Sequence, residues 1–150
     1  AYLPETYVAS EEQRLDLYKR IALIDSEEGR DEMLDELIDR FGEPSRSVQN
    51  LLFIAMLRME AHKAFVTDIV QRPEEIVFTL FERAAIDASG IPAVIEKNKP
   101  YVTFTADAKH PAFHYFYKKN SRIKPKDLPD LVMTFVKELQ GLALNQKSEN

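Results

Sequence analysis

The chain has 150 residues, 45% hydrophobic and 30% charged, an ordinary globular composition with enough apolar mass for one folded core. It has no cysteine, which excludes a disulfide scaffold and cysteine-ligated metal sites, and no apolar run near the ~18 residues that a membrane-spanning helix needs. The formal charge of −5 is uneven: residues 1–45 hold 13 acids and 5 bases, net −8, while residues 46–150 hold 12 acids and 15 bases, net +3. Such polarity speaks to partners rather than to fold.

Residues 1–9 read as extended, because Leu3 precedes Pro4 and is pushed toward β or polyproline geometry. The segment has neither the basic nor the apolar part of a signal peptide. With no initiator methionine, the chain is expected to be a piece of a longer protein. Ser10, followed by Gln13 three residues later, has the pattern of a capping box. The helix it opens is predicted to reach about Ile24, with Leu15, Tyr18 and Ala22 on one stripe and Leu17, Ile21 and Ile24 on the next.

A second helix is predicted over Glu27–Phe41. Its apolar residues Met33, Leu34, Leu37, Ile38 and Phe41 make one continuous face, and Gly42 suits the left-handed position that ends it. Pro44 and Ser45 open a third helix to about Phe65. Val48, Leu51, Leu52, Ala55 and Met59 share one side, and Phe53, Ile54, Met56 and Leu57 make it apolar nearly all round, so it is expected to be the most buried helix.

After that the period changes. Phe65–Val70 and Ile76–Phe81 read as short strands around Pro73. Asp87–Asn98 suits a short helix starting near Pro92. Tyr101–Thr105 and Ala112–Tyr117 read as a hairpin. A last helix runs from Asp127 or Leu128 to Leu142 with Leu131, Val132, Phe135, Val136 and Leu139 inward, and 145–150 reads as a disordered tail. The order gives an α+β class: an N-terminal three-helix block, then a small, mainly antiparallel sheet with two further helices. The domain is expected to be single, over 1–144.

The four glycines are too scattered for a phosphate loop, and no Gly-x-Ser-x-Gly elbow is present. His110 and His114 have the spacing of a metal pair only on a helix; Pro111 lies between them, and surface histidines are the expectation. Glu11–Glu12, Glu27–Glu28 and Glu74–Glu75 read as helix-start charges that complement the dipole. No nucleophile–base pair supports an enzyme.

Two charged patches carry functional readings. Glu32, Asp35, Glu36, Asp39 and Glu43 follow one another at steps of three or four or less, forming an acidic ridge opposite the apolar face of the second helix. Acids near a helix C-terminus oppose the dipole and repel one another. A solvated helix face is one reading; a docking surface for a basic partner, best for arginines, is the other. In the second patch, Lys97, Lys99, Lys109, Lys118, Lys119, Arg122, Lys124 and Lys126 interleave with Tyr101, Phe104, Phe113, Tyr115, Phe116 and Tyr117. This could be a nucleic-acid-binding module, or a hairpin whose aromatics pack inward and whose lysines guard its edge.

Tyr2–Leu3–Pro4–Glu5 with Tyr7–Val8, Arg14–Leu15 with Leu17–Tyr18–Lys19–Arg20, Glu36–Leu37–Ile38–Asp39–Arg40–Phe41–Gly42 with Pro44, and Asn50–Leu51–Leu52 together resemble the C-terminal domain of bacterial transcription-repair coupling factors. The motifs are densest over residues 1–65; beyond them only element order and hydrophobic pattern match. The resemblance implies a non-catalytic, autoinhibitory regulatory domain. Its parent would be a cytoplasmic bacterial, ATP-dependent DNA translocase that displaces stalled RNA polymerase and recruits nucleotide excision repair through UvrA. The domain would dock on the UvrB-homology module of the same polypeptide, masking UvrA binding and restraining the motor. By motif position the docking acids would be Glu36 and Asp39, with Glu32, Asp35 and Glu43 beside them; Arg20 and Arg40 could tie the first two helices together. No cofactor is implied in this chain, ATP and Mg²⁺ belonging to the parent's motor, and neither a membrane nor a small-molecule substrate is implied as a partner.

Overall fold

A computed structural model describes residues 1–144, so the tail expected at 145–150 lies outside the described residues. The chain divides into two compact units, one over Ala1–Met59 and one from Glu60 onward.

The first unit holds α1 (Glu11–Ala22), α2 (Glu27–Phe41) and most of α3 (Arg46–Lys63). The side chain of Ser10 accepts from Gln13 N to cap α1, and that of Ser26 accepts from Gly29 N to cap α2. Gly42 ends α2 at φ 87°, where a Cβ would be strained. The core comprises Leu3, Val8, Leu17, Ile21, Met33, Leu37, Val48, Leu52 and Ala55, with Tyr18 and Phe41 packed against it.

The N-terminal segment is not extended throughout. Tyr7 N and Val8 N both donate to Pro4 O at 3.0 Å, making a turn. Leu3 and Val8 are both in the core, and residues an odd number apart on a straight strand face opposite sides; only a turn lets both point inward. Tyr18 Oη accepts from Leu3 N at 2.7 Å, and Tyr7 Oη donates to Gly42 O at 2.7 Å.

Three apolar expectations are corrected by helix rotation of about 100° per residue. Leu15 lies about 200° from Leu17 and is 56% exposed. Ile38 lies at the edge of the stripe centred on Leu37 and is 38% exposed. Helix α3 is not buried all round: Val48, Leu52, Ala55 and Met56 are inward, while Ile54 faces solvent.

The second unit is built on β1 (Val66–Gln71), β2 (Ile76–Leu80), β3 (Val102–Thr105) and β4 (Ala112–Tyr115), with α4 (Ile91–Lys97) and α5 (Leu128–Leu139). The sheet is wholly antiparallel in the order β1-β2-β4-β3. Phe78 pairs with Phe113 across β2 and β4, and the Phe135 ring of α5 lies 4.8 Å from Phe78 and 5.8 Å from Phe113. The class is therefore α+β, as the element order predicts. Glu74 and Glu75 sit in the β1–β2 turn rather than at a helix start, because the antiparallel pairing of Gln71 with Ile76 leaves only a tight connection there.

Candidate functional site

Helix α2 sorts its side chains by rotation. Met33 and Leu37 are buried, Leu34 and Phe41 half-buried, and Glu32, Asp35 and Asp39 face water, with Glu43 exposed just past the helix end. Among the described residues, none of these four carboxylates has a cation within 4.0 Å. They form a run of open acceptors along one edge of a rigid, capped helix.

Glu36 stands apart. It precedes Leu37 by one residue, so it lies on the flank of the buried stripe nearest Arg20. Arg20 Nη1 donates to Glu36 Oε2 at 2.7 Å and Nη2 to Oε1 at 2.5 Å, a bidentate fork from α1 to α2. Arg40, one turn on, donates to the same Oε2 at 2.7 Å and lays its guanidinium 4.9 Å from the Phe41 ring. Asp16 approaches Arg20 at 3.9 Å. The Arg20 and Arg40 hydrogen bonds pull the Glu36 carboxyl down to about 2, the Arg20 bonds contributing most, and the same pairing raises Arg20. Glu36 is thus ionised and already occupied, whereas Asp39, its sequence neighbour in the predicted pair, is open. Ile38 adds an exposed apolar side chain next to Asp35 and Asp39. The Arg40 contact was legible as an i, i+4 pair; the Arg20 contact depends on the packing of α1 on α2, and no local signal specifies it.

In the second patch five of the six aromatics turn inward, while Phe116 is half-buried and stacks on His114. Phe113 and Tyr117 are buried, Phe104 packs 4.8 Å from Phe113, Tyr115 stands 5.4 Å from Phe135, and Tyr101 stacks on Tyr115. Lys97 pairs with Glu138 at 3.2 Å and Lys99 approaches Glu96 at 3.9 Å. Lys118, Lys119, Arg122, Lys124 and Lys126 lie on the connection from β4 to α5, and Lys109 between β3 and β4.

His110 is exposed, but His114 is more than a surface residue: its Nδ1 lies 3.0 Å from Glu75 Oε1 and its Nε2 2.9 Å from Thr105 Oγ1. The pleat explains this, since β4 turns His114 to the sheet face opposite Phe113. Among the described residues no group of three or more His, Cys, Asp or Glu is placed to hold a metal ion.

Comparison with known proteins gives a consistent set of likenesses. Residues 1–91 match the family model described as the TRCF domain. The transcription-repair-coupling factor of Bacillus subtilis is 34% identical over 90 residues, which is 60% of this chain and 8% of that protein. That of Escherichia coli K12 is 25% identical over 142 residues, 95% of this chain and 12% of its own length. That of Haemophilus influenzae is 46% identical over 59 residues, 39% of this chain and 5% of its own. A crystal structure of the C-terminal domain of a transcription-repair coupling factor shares the fold with a TM-score of 0.76 and 24% identity, covering 94% of this chain and 87% of that one. The chain therefore matches only 5–12% of the length of these relatives.

Proposed function

The chain belongs to the TRCF domain family, and from that premise we propose that it is a non-catalytic docking module that holds a transcription-repair coupling factor in a restrained state. In this reading the α2 ridge engages arginines of the UvrB-homology module of the same polypeptide. Docking there covers the surface that UvrA would use and restrains an ATP-dependent DNA translocase until RNA polymerase is engaged. The parent would act in the bacterial cytoplasm, and ATP and Mg²⁺ would serve its motor rather than this chain.

The observation that carries the reading is the row of open carboxylates, Glu32, Asp35, Asp39 and Glu43, on a helix fixed from behind by Leu37 and the Arg20–Glu36 fork. Rigidity lowers the entropic cost of docking. Rim pairs are worth only ~0–1 kcal/mol each, which suits a lock that must open: a difference of ~5.5 kcal/mol between two states already moves an equilibrium from 1:99 to 99:1. Ile38 supplies an apolar contact beside the charges. A partner arginine reaches Glu36 only by competing with Arg20 and Arg40, so Asp39 and Asp35 are the principal acceptors.

The test is UvrA binding by the full-length protein carrying Asp35→Arg with Asp39→Arg. Tethering makes the intramolecular comparison the sensitive one. Tighter UvrA binding and a raised ATPase rate are expected; UvrA affinity equal to that of the parent sequence overturns the reading.

A further inference from the structure

The connection from β4 to α5 concentrates cations without counter-charge. Lys118, Lys119, Arg122, Lys124 and Lys126 occupy nine positions, and all five are exposed. Among the described residues none of them has a carboxylate within 4.0 Å. Asp127, the acid at the end of the segment, is committed to the backbone, accepting from Lys124 N at 2.9 Å.

The segment is also held in place. Tyr117 is buried and its hydroxyl donates to Arg72 O at 2.6 Å; Phe116 N donates to Tyr101 O at 2.8 Å. Asn120 closes the next turn, accepting from Ile123 N through its backbone at 3.1 Å and from Arg122 N through Oδ1 at 3.0 Å. A concavity of about 170 Å³ opens within it, lined by Gln71, Tyr117, Lys118, Asn120, Ser121 and Lys124, among others. Two ammonium groups beside amide and hydroxyl donors suit a phosphate group.

We propose that this segment is a sequence-independent seat for the phosphate backbone of duplex DNA. Five cations without a carboxylate partner among the described residues fit a polyanion, and neutralising phosphates releases condensed counterions. The neighbouring aromatics decide between duplex and single strand. Phe113 and Tyr117 are buried, and Tyr101, Phe104 and Tyr115 pack on one another, on Phe113 and on Phe135; Phe116, half-buried, stacks on His114 and carries the Lys119 ammonium 4.8 Å from its ring, so the patch offers unpaired bases no row of free aromatic faces. An acidic peptide or a lipid surface would want an apolar anchor, and Ile123 of the segment is itself half-buried.

The experiment is fluorescence anisotropy of the 150-residue chain with a labelled DNA duplex, the matching single strand, and polyglutamate as competitor. It is repeated from about 50 to about 200 mM salt. Duplex binding is expected to weaken with a log–log salt slope of about −3 to −4.5, the upper figure being five contacts at −0.9 each. The triple variant Lys118→Glu, Lys119→Glu, Arg122→Glu is expected to lose at least tenfold affinity and to flatten the slope. The neutral set Lys118→Gln, Lys119→Gln, Arg122→Gln serves as a second variant if the reversals disturb folding. Equal charge reversal at Lys63, Arg83 and Lys137 is expected to cost much less. Absence of duplex binding at low salt, preference for the single strand, displacement by polyglutamate at equal charge, or equal losses from the two reversed sets would each overturn the proposal. These variants leave residues 1–59 untouched, so the docking reading stands or falls separately.

Discussion

Arg20 of α1 grips Glu36 of α2 through two hydrogen bonds, of 2.7 and 2.5 Å, and Arg40 shares the same carboxylate. One acid therefore neutralises half the charge of two arginines and cross-ties two helices. Glu36 and Asp39 stand three residues apart on one helix, yet their environments differ: one is satisfied within the unit and the other is open to solvent.

Glu36 makes stability depend on acid pH. Its folded value, about 2, lies below the ordinary 4.5. The stabilisation is complete above about pH 4.5 and is lost as pH falls toward 2, because the unfolded state takes up the proton first. With Arg20 and Arg40 39% and 40% exposed, solvent screening reduces the effect to about 1 kcal/mol. Urea titrations at neutral pH and near pH 3 check it: the parent chain should lose roughly 0.6 kcal/mol more between the two than Glu36→Gln does.

The two acids should also separate on substitution. Glu36→Arg brings three guanidinium groups together and is expected to destabilise the chain by about 2 kcal/mol. Asp39→Arg, on the solvent side, should stay within about 0.5 kcal/mol while weakening docking. Thermal melts of the two single variants read the first difference; binding to the isolated UvrB-homology module reads the second. Equal melting temperatures would place Glu36 in the solvated ridge instead of the interhelix tie.

Much of this was legible in the chain because local signals agreed. The apolar period of α2 and Gly42 bound the helix at Glu27–Phe41, and the structure has those same ends. The hairpin of β3 and β4 follows from the alternation of Tyr101–Thr105 and the aromatic run Ala112–Tyr117. Three kinds of information were not local. The position of β4 beside β2 depends on which strand edges meet after α4 and a loop. The inward turn of Phe113, Tyr115 and Tyr117, which removes them from any base-binding surface, depends on α5 covering that side of the sheet. The Arg20–Glu36 fork joins residues 16 apart whose helices must first pack. The exposures of Leu15 and Ile38 were recoverable: rotation about the helix axis places both at or beyond the edge of their buried stripes.

Gly42 and Gly141 test backbone conformation against space. Neither would bring a new Cβ within 4 Å of another group, but only Gly42 has a positive φ, 87°. With ψ at −172°, Gly42 lies in a region that essentially only glycine adopts, so Gly42→Ala is expected to cost about 1–3 kcal/mol through strain alone, and Gly141→Ala to stay within about 0.5 kcal/mol. Chemical denaturation of the two variants decides; parity between them would remove strain as the reason for glycine after Phe41.

Phe135 is the keystone of the sheet unit. It is 2% exposed, and its ring lies 4.8 Å from Phe78, 5.8 Å from Phe113 and 5.4 Å from Tyr115, so three strand residues rest on one side chain of α5. Truncation removes the transfer energy of the ring and leaves a cavity that the paired strands, tied by their ladders, cannot easily close. Phe135→Ala is expected to cost about 3–5 kcal/mol, and Phe135→Leu, which keeps most of the volume, under about 2 kcal/mol. Because α5 follows the basic segment directly, Phe135→Leu should leave the duplex-DNA salt slope unchanged while lowering the urea midpoint. Loss of that slope at unchanged helicity would mean that the cations depend on α5 for their placement and not on the Tyr117 and Asn120 anchors.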